Sequence, residues 1–208
     1  MSAAATLACV VILCALGGAT SQAAASPAAT GQAQKLRVTF VGDSISASLD
    51  YVASAKRILS RGWQVSYDLK VCRRLVATSC AFQGQTPPTT LQTVTALGRS
   101  LGDVLIVDVG YNEGSYGYRE GMRRVLRAAF AQGARGVVWV TLRETNPVYH
   151  PTNVAIRKEA KLWRNVAVAD WERLSRGKPW FREDGLHLNT AGAQGLARLL
   201  RAHVLRVA

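Results

Sequence analysis

Val38-Thr39-Phe40-Val41-Gly42-Asp43-Ser44 is a short apolar run that stops on Gly-Asp-Ser. Its β-branched and aromatic residues, closed by a glycine and two polar residues, read as a buried strand ending in a turn. Working outward, the pattern predicts a strand over 36–41 and a helix over 45–59. A second strand over 63–69 leads into an irregular loop that holds Cys72 and Cys80. Pro87-Pro88 breaks the chain, and a helix over 89–101 follows. Then come a strand over 104–109, a helix over 117–132, a strand over 137–142 and a helix over 153–163. A short strand over 166–169 and an amphipathic helix over 190–204 close the chain. Strands alternating with helices imply a parallel sheet covered on both faces. The expected architecture is one three-layer α/β domain with a central parallel sheet of about five strands. In such sheets ligands bind at the carboxyl ends of the strands, which is where Ser44 and Asn112 both fall.

The chain has 208 residues, of which 49% are hydrophobic, enough for one domain with a substantial core. Residues 1–34 carry no charge, and Lys35 is the first charged residue. The apolar stretch 7–16 and the small-residue motif Ala23-Ala24-Ala25 read as a signal peptide over 1–25, an Ala/Ser/Gln linker over 26–34 and a domain over 35–208. The expected location is secreted or cell-envelope. The alternative is an uncleaved N-terminal anchor, for which the apolar core is short. Cys9 and Cys14 would leave with the signal. Cys72 and Cys80 would remain and could pair in an oxidising compartment, contributing about 2–3 kcal/mol by loop closure. Two buried thiols are the other reading.

The net charge of +13 lies wholly outside that uncharged segment. A basic chain of this kind suits anionic cell-wall polymers or membrane surfaces. No nucleic-acid motif is present, and no nucleic acid is expected as a partner. Arg119, Arg123 and Arg127 recur every four residues opposite Met122, Val125, Leu126 and Phe130, as on a solvated helix face. No Cys/His cluster has zinc spacing.

Three separated segments carry acyl-transfer chemistry. Ser44 ends the first strand, where a helix start would bring backbone amides and a positive dipole end near developing charge. An N-cap role is the plainer alternative. His187 follows Asp184 by three residues in Asp184-Gly185-Leu186-His187. That spacing lets the carboxylate reach Nδ1 and leaves Nε2 to take a serine proton. Asn112, in Gly110-Tyr111-Asn112 after the most apolar strand, can donate its side-chain amide to an oxyanion beside the Ser44 N–H. An Asx-turn is the alternative there. His150 reads as a surface residue that could also line a pocket, and His203, in the closing helix, as structural or exposed.

In order and spacing, Gly42-Asp43-Ser44, Gly110-Tyr111-Asn112 and Asp184-Gly185-Leu186-His187 resemble the SGNH/GDSL hydrolase family of esterases and lipases over most of residues 36–204. The resemblance implies a flavodoxin-like fold with strand order 2-1-3-4-5. It also implies Ser44 as nucleophile, His187 as base, Asp184 as its orienting acid and Asn112 as an oxyanion donor. The family takes a further oxyanion amide from a glycine after the second strand, and here Cys72 stands at that position. A cysteine amide serves equally unless the backbone needs a positive φ. Glu113 stands where the family commonly has aspartate. Tyr111, Glu113 and Arg73 are expected on the substrate side.

The expected activity is hydrolysis of carboxylic esters through an acyl-enzyme, with no cofactor or metal. The expected substrates carry short acyl or acetyl groups on a polysaccharide or lipid. Two alternatives stand beside it: transfer of the acyl group to a saccharide hydroxyl, or a non-catalytic basic domain that binds anionic polymers.

Overall fold

Alternate residues of each strand serve opposite layers of the protein. Five strands, β1 (Arg37–Gly42), β2 (Gln64–Leu69), β3 (Val104–Asp108), β4 (Gly136–Val140) and β5 (Val166–Ala169), form one parallel sheet in the order β2-β1-β3-β4-β5. The register sets Val38 beside Val104, Val104 beside Gly136 and Val137 beside Val166. On one face Val38, Phe40, Val104, Ile106, Val138 and Val140 pack against α2 (Ala53–Ser60) and α7 (Thr190–Val207). On the other, Val41, Leu105, Val107, Val137 and Trp139 meet α3 (Thr90–Leu97), α4 (Tyr118–Ala131) and α5 (Tyr149–Ala160). Every residue of β3 and β4 is buried, because a central parallel strand is covered on both sides.

This computed structural model describes residues 35–114 and 116–208. The expected signal peptide and linker, with Cys9 and Cys14, lie outside the described residues. The strands stand where the sequence puts them, to within one or two residues. The helices differ more. The helix expected over 45–59 is two: α1 (Ser48–Tyr51) and α2, separated at Val52, which leaves helical geometry at φ −108°, ψ 88°. Residues 98–101, expected as helix, form a 3₁₀ turn after α3, whose start is a reciprocal Thr89/Gln92 capping box. The helix expected from 153 begins at Tyr149, and a short α6 (Trp171–Ser175) follows β5.

The arginine stripe on α4 is not simply solvated. The buried Glu159 carboxylate of α5 accepts from Arg119 Nε at 2.8 Å and from Arg123 Nε and Nη2 at 2.9 Å each. These charge-assisted bonds hold its carboxyl pKa down at about 2 and clamp α4 to α5.

α7 also seats the segment that carries the late Asp-x-x-His. A Cβ on Gly192 would lie 2.1 Å from the Trp180 carbonyl oxygen, and one on Gly195 would lie 2.8 Å from the Trp180 ring. Only glycine admits this close approach. Gly192→Ala should therefore destabilise the protein by about 1–3 kcal/mol through overpacking. Gly114, where a Cβ meets nothing within 4 Å, should accept alanine within about 0.5 kcal/mol. Urea denaturation of both variants measures the difference.

Candidate active site

Strand β1 ends at Gly42, and the next residues turn sharply. Ala47 N–H donates back to Asp43 O at 3.2 Å, so Ser44 rides on a single turn that leads into α1. The regular helix expected from residue 45 begins only at Ser48 and has four residues, so little aligned backbone dipole stands behind Ser44. A Cβ at Gly42 would fall 2.4 Å from Ser46 Oγ, so glycine is required for the turn to fold this closely.

Ser44 Oγ lies 3.2 Å from His187 Nε2, across 143 residues of sequence. His187 Nδ1 lies 2.7 Å from Asp184 Oδ2. The other carboxylate oxygen, Asp184 Oδ1, accepts the Leu186 N–H at 2.8 Å and the His187 N–H at 2.9 Å. The Leu186 amide foremost, then the imidazole, holds the Asp184 carboxyl down at about 2. Asp184 is thus an anion at neutral pH that fixes both the loop backbone and the ring. The loop is closed by Arg182 N–H to His187 O at 2.8 Å and turns at Gly185, whose φ of +67° suits glycine. Arg143, on the edge just after β4, braces it from outside. Its guanidinium lies 3.5 Å over the Phe181 ring and donates to Gly185 O.

Asp43 knits the turn to the Gly-x-Asn loop. Its buried carboxylate accepts Ile45 N–H at 3.0 Å through Oδ1, and Gly110 and Tyr111 N–H at 3.2 and 3.3 Å through Oδ2. Beside it, Asp108 ends β3 fully buried and accepts the Ser46 hydroxyl at 2.8 Å. Burial drives both carboxyls upward, and the Asp43 charge pushes Asp108 further. Asp108, raised to about 8, is the member that keeps its proton at neutral pH.

The loop after β2 supplies the other wall. Cys72 and Cys80 form a disulfide with Cα atoms 5.2 Å apart. Cys72 has φ +68°, the left-handed region that a glycine would enter freely. The position does require positive φ, at a cost on the order of 1 kcal/mol for a residue with a Cβ. Asn112 joins this loop: its Nδ2 donates to Arg73 O at 3.3 Å, and its own carbonyl accepts Arg74 Nε at 2.7 Å. One Nδ2 hydrogen remains to meet an oxyanion. Among the described residues, no oxygen accepts the Ser44 or Cys72 N–H.

The three residues expected on the substrate side are corrected by their contacts. The Arg73 side chain is fully buried; it pairs with Asp68 at 3.0 Å and donates to Pro88 O at 3.1 Å, stapling the loop from beneath. Glu113 turns its carboxylate to the Leu75 N–H. The Tyr111 hydroxyl accepts the Arg143 N–H at 2.6 Å, and its ring meets Tyr149 edge-on at 5.1 Å. All three hold loops in place. The groups that do face Ser44 and His187 line a cavity of about 350 Å³: Ala47, Tyr51, Val71, Phe82, Arg182 and Leu188. His150 is exposed beside Glu144 at 3.1 Å, and His203 is buried against Leu199 O at 2.9 Å. Among the described residues, no group of three or more His, Cys, Asp and Glu side chains converges as a metal-binding set.

No protein-family model and no curated protein sequence matches the chain. Solved structures do. A candidate arylesterase from Agrobacterium tumefaciens superposes with a TM-score of 0.61 at 15% identity, covering 83% of this chain and 100% of that one. A family 3 carbohydrate esterase from Clostridium thermocellum gives 0.56 at 12%, covering 83% and 96%. The psychrotrophic esterase EstA from Pseudoalteromonas, in a structure inhibited by monoethylphosphonate, gives 0.57 at 12%, covering 82% and 97%. With the strand order 2-1-3-4-5, these likenesses show a flavodoxin-like α/β fold shared with those structures.

The buried carboxyl pair should leave a signature in stability. Its raised pKa values mean that the folded protein holds more protons than the unfolded chain between about pH 4 and 8. Stability from these groups is therefore fully present below that window, falls as pH rises through it and levels off above it. Asp184 and Glu159, both lowered to about 2, act at the acid end and stay ionised throughout. Urea midpoints at pH 5 and 8 should fall for the native protein and fall much less for Asp108→Asn. Equal falls would assign the slope to other groups.

Proposed function

We propose that this protein is a serine esterase, and that its one carrying observation is the continuous line from Ser44 Oγ to His187 Nε2 at 3.2 Å and from Nδ1 to Asp184 Oδ2 at 2.7 Å. In this reading His187 Nε2 takes the Ser44 proton as Oγ adds to the ester carbonyl. The carbonyl oxygen becomes an oxyanion and accepts from the Ser44 and Cys72 N–H groups and from Asn112 Nδ2. The imidazolium, stabilised by the Asp184 anion, gives its proton to the departing alcohol. An acyl-Ser44 ester remains. Water then adds to it, with His187 again taking the proton, and the carboxylic acid leaves as Oγ recovers its own.

The similar structures support this reading, since they are esterases, and one of them is inhibited by a phosphonate. The small cavity beside Ser44 favours short acyl groups, such as acetyl esters on a polysaccharide. The Cys72–Cys80 disulfide and the uncharged N-terminal segment favour a secreted or cell-envelope enzyme.

Steady-state kinetics with p-nitrophenyl acetate test the assignment. Ser44→Ala and His187→Ala should each lower turnover by several orders of magnitude with the melting temperature unchanged. Asn112→Ala should raise the barrier by about 3 kcal/mol, mainly in kcat. Full activity in Ser44→Ala would refute the reading, and an Asn112→Ala effect confined to KM would make that residue a substrate-positioning group.

A further inference from the structure

A second cavity, larger than the one beside Ser44, lies at the edge of the sheet. A groove of about 850 Å³ runs along β5, the edge strand next to β4, between α5 and α7. Arg157, Lys161, Arg173, Arg176, Lys178 and Arg206 line it, against one lining carboxylate, Asp170. The cations stand on both rims. Arg157 belongs to α5 and Lys161 caps its C-terminus, Arg206 belongs to α7, Arg173 lies in α6, and Arg176 and Lys178 follow it.

Three of the cations are held in place. Asp170 pairs with Arg157 at 2.8 Å and with Arg173 at 3.9 Å, while Glu172 holds Arg176 at 2.7 Å. Lys161, Lys178 and Arg206 are exposed and have no ion pair among the described residues. So the groove combines preorganised guanidinium groups with free positive charge. Its floor is aliphatic, with Val168, Leu174 and Leu199.

We infer that this groove binds an acidic oligosaccharide, a chain of carboxylated sugar rings. A glycan chain presents C–H faces to an aliphatic floor and carboxylates to either side, as cations on both rims require. The volume lies within the range of pockets that enclose ligands of a few rings. A single-stranded nucleic acid would need aromatic platforms for its bases. Two aromatic rings are in the lining: Trp163 stacks on Phe130 at 5.5 Å and donates its Nε1 to Glu159, and His203 is buried with Nδ1 2.9 Å from Leu199 O. The carboxylated ligand therefore fits the lining better than a polynucleotide does.

The test is binding without turnover, so its outcome is independent of the esterase reading. The full-length protein is titrated calorimetrically with a galacturonate oligomer, a neutral dextran oligomer of equal length and a single-stranded oligonucleotide. The galacturonate oligomer should bind most tightly, and its affinity should fall as salt rises. Reversal of the three unpaired charges in K161E/K178E/R206E should weaken that binding by about tenfold or more, with the circular dichroism spectrum and melting temperature unchanged. If that variant fails to fold, K161Q/K178Q/R206Q takes its place with the same expected direction. Equal binding of acidic and neutral oligomers, or undiminished binding by a folded variant, would overturn the inference. Tighter binding of the oligonucleotide would overturn it too and make the groove a nucleic-acid site.

Discussion

The Asp43 carboxylate is the tie on which the site depends. It is fully buried, and its two oxygens accept three backbone amides from two loops. One loop carries Ser44, and the other carries Asn112. The Asp43 N–H, in turn, donates to Asp108 O at 3.0 Å, extending the β1–β3 ladder by one step beyond the strands. Ser44 and Asn112 are thus fixed relative to each other by a residue that faces neither of them with a free oxygen. Burying that carboxyl is unfavourable, as its raised pKa shows, and the three amide bonds offset the penalty.

The other two loops are held by comparable means. Arg73 and Glu113 anchor the loop after β2 from below and from the Asn112 side. Arg143 and the α7 glycines seat the Asp184–His187 loop. The disulfide belongs to this set. It restrains a loop in which a cysteine occupies a left-handed position, where the unconstrained chain would prefer φ < 0. Ser44 and His187 meet because four loops, three of them tied to one another, are held at one edge of a rigid sheet.

Much of this was legible in the sequence, for identifiable reasons. Strands buried on both faces leave uninterrupted apolar runs, and 104–108 and 136–140 are such runs, so the sheet could be read directly. Asp-x-x-His was legible because its key contact spans three residues. The break at Val52 was not, because no Gly or Pro marks it. The tying role of Asp43 was hidden because its partners lie 67 and 68 residues away. Arg73, Glu113 and Tyr111 were misplaced to the substrate side for a related reason. Polar residues beside catalytic positions read as facing outward, whereas these satisfy buried carbonyls and amides of neighbouring loops. Asp68, five residues before Arg73, was the available signal.

The edge groove is cationic, the Ser44 cavity is where we propose the chemistry, and that proposal rests on a single covalent event. That event is most directly observed by treating the protein with a fluorophosphonate and locating the adduct by peptide mass spectrometry. The account predicts one adduct, on Ser44, formed with loss of esterase activity and absent in His187→Ala. An adduct on another residue, or full inhibition with Ser44 unmodified, would contradict it.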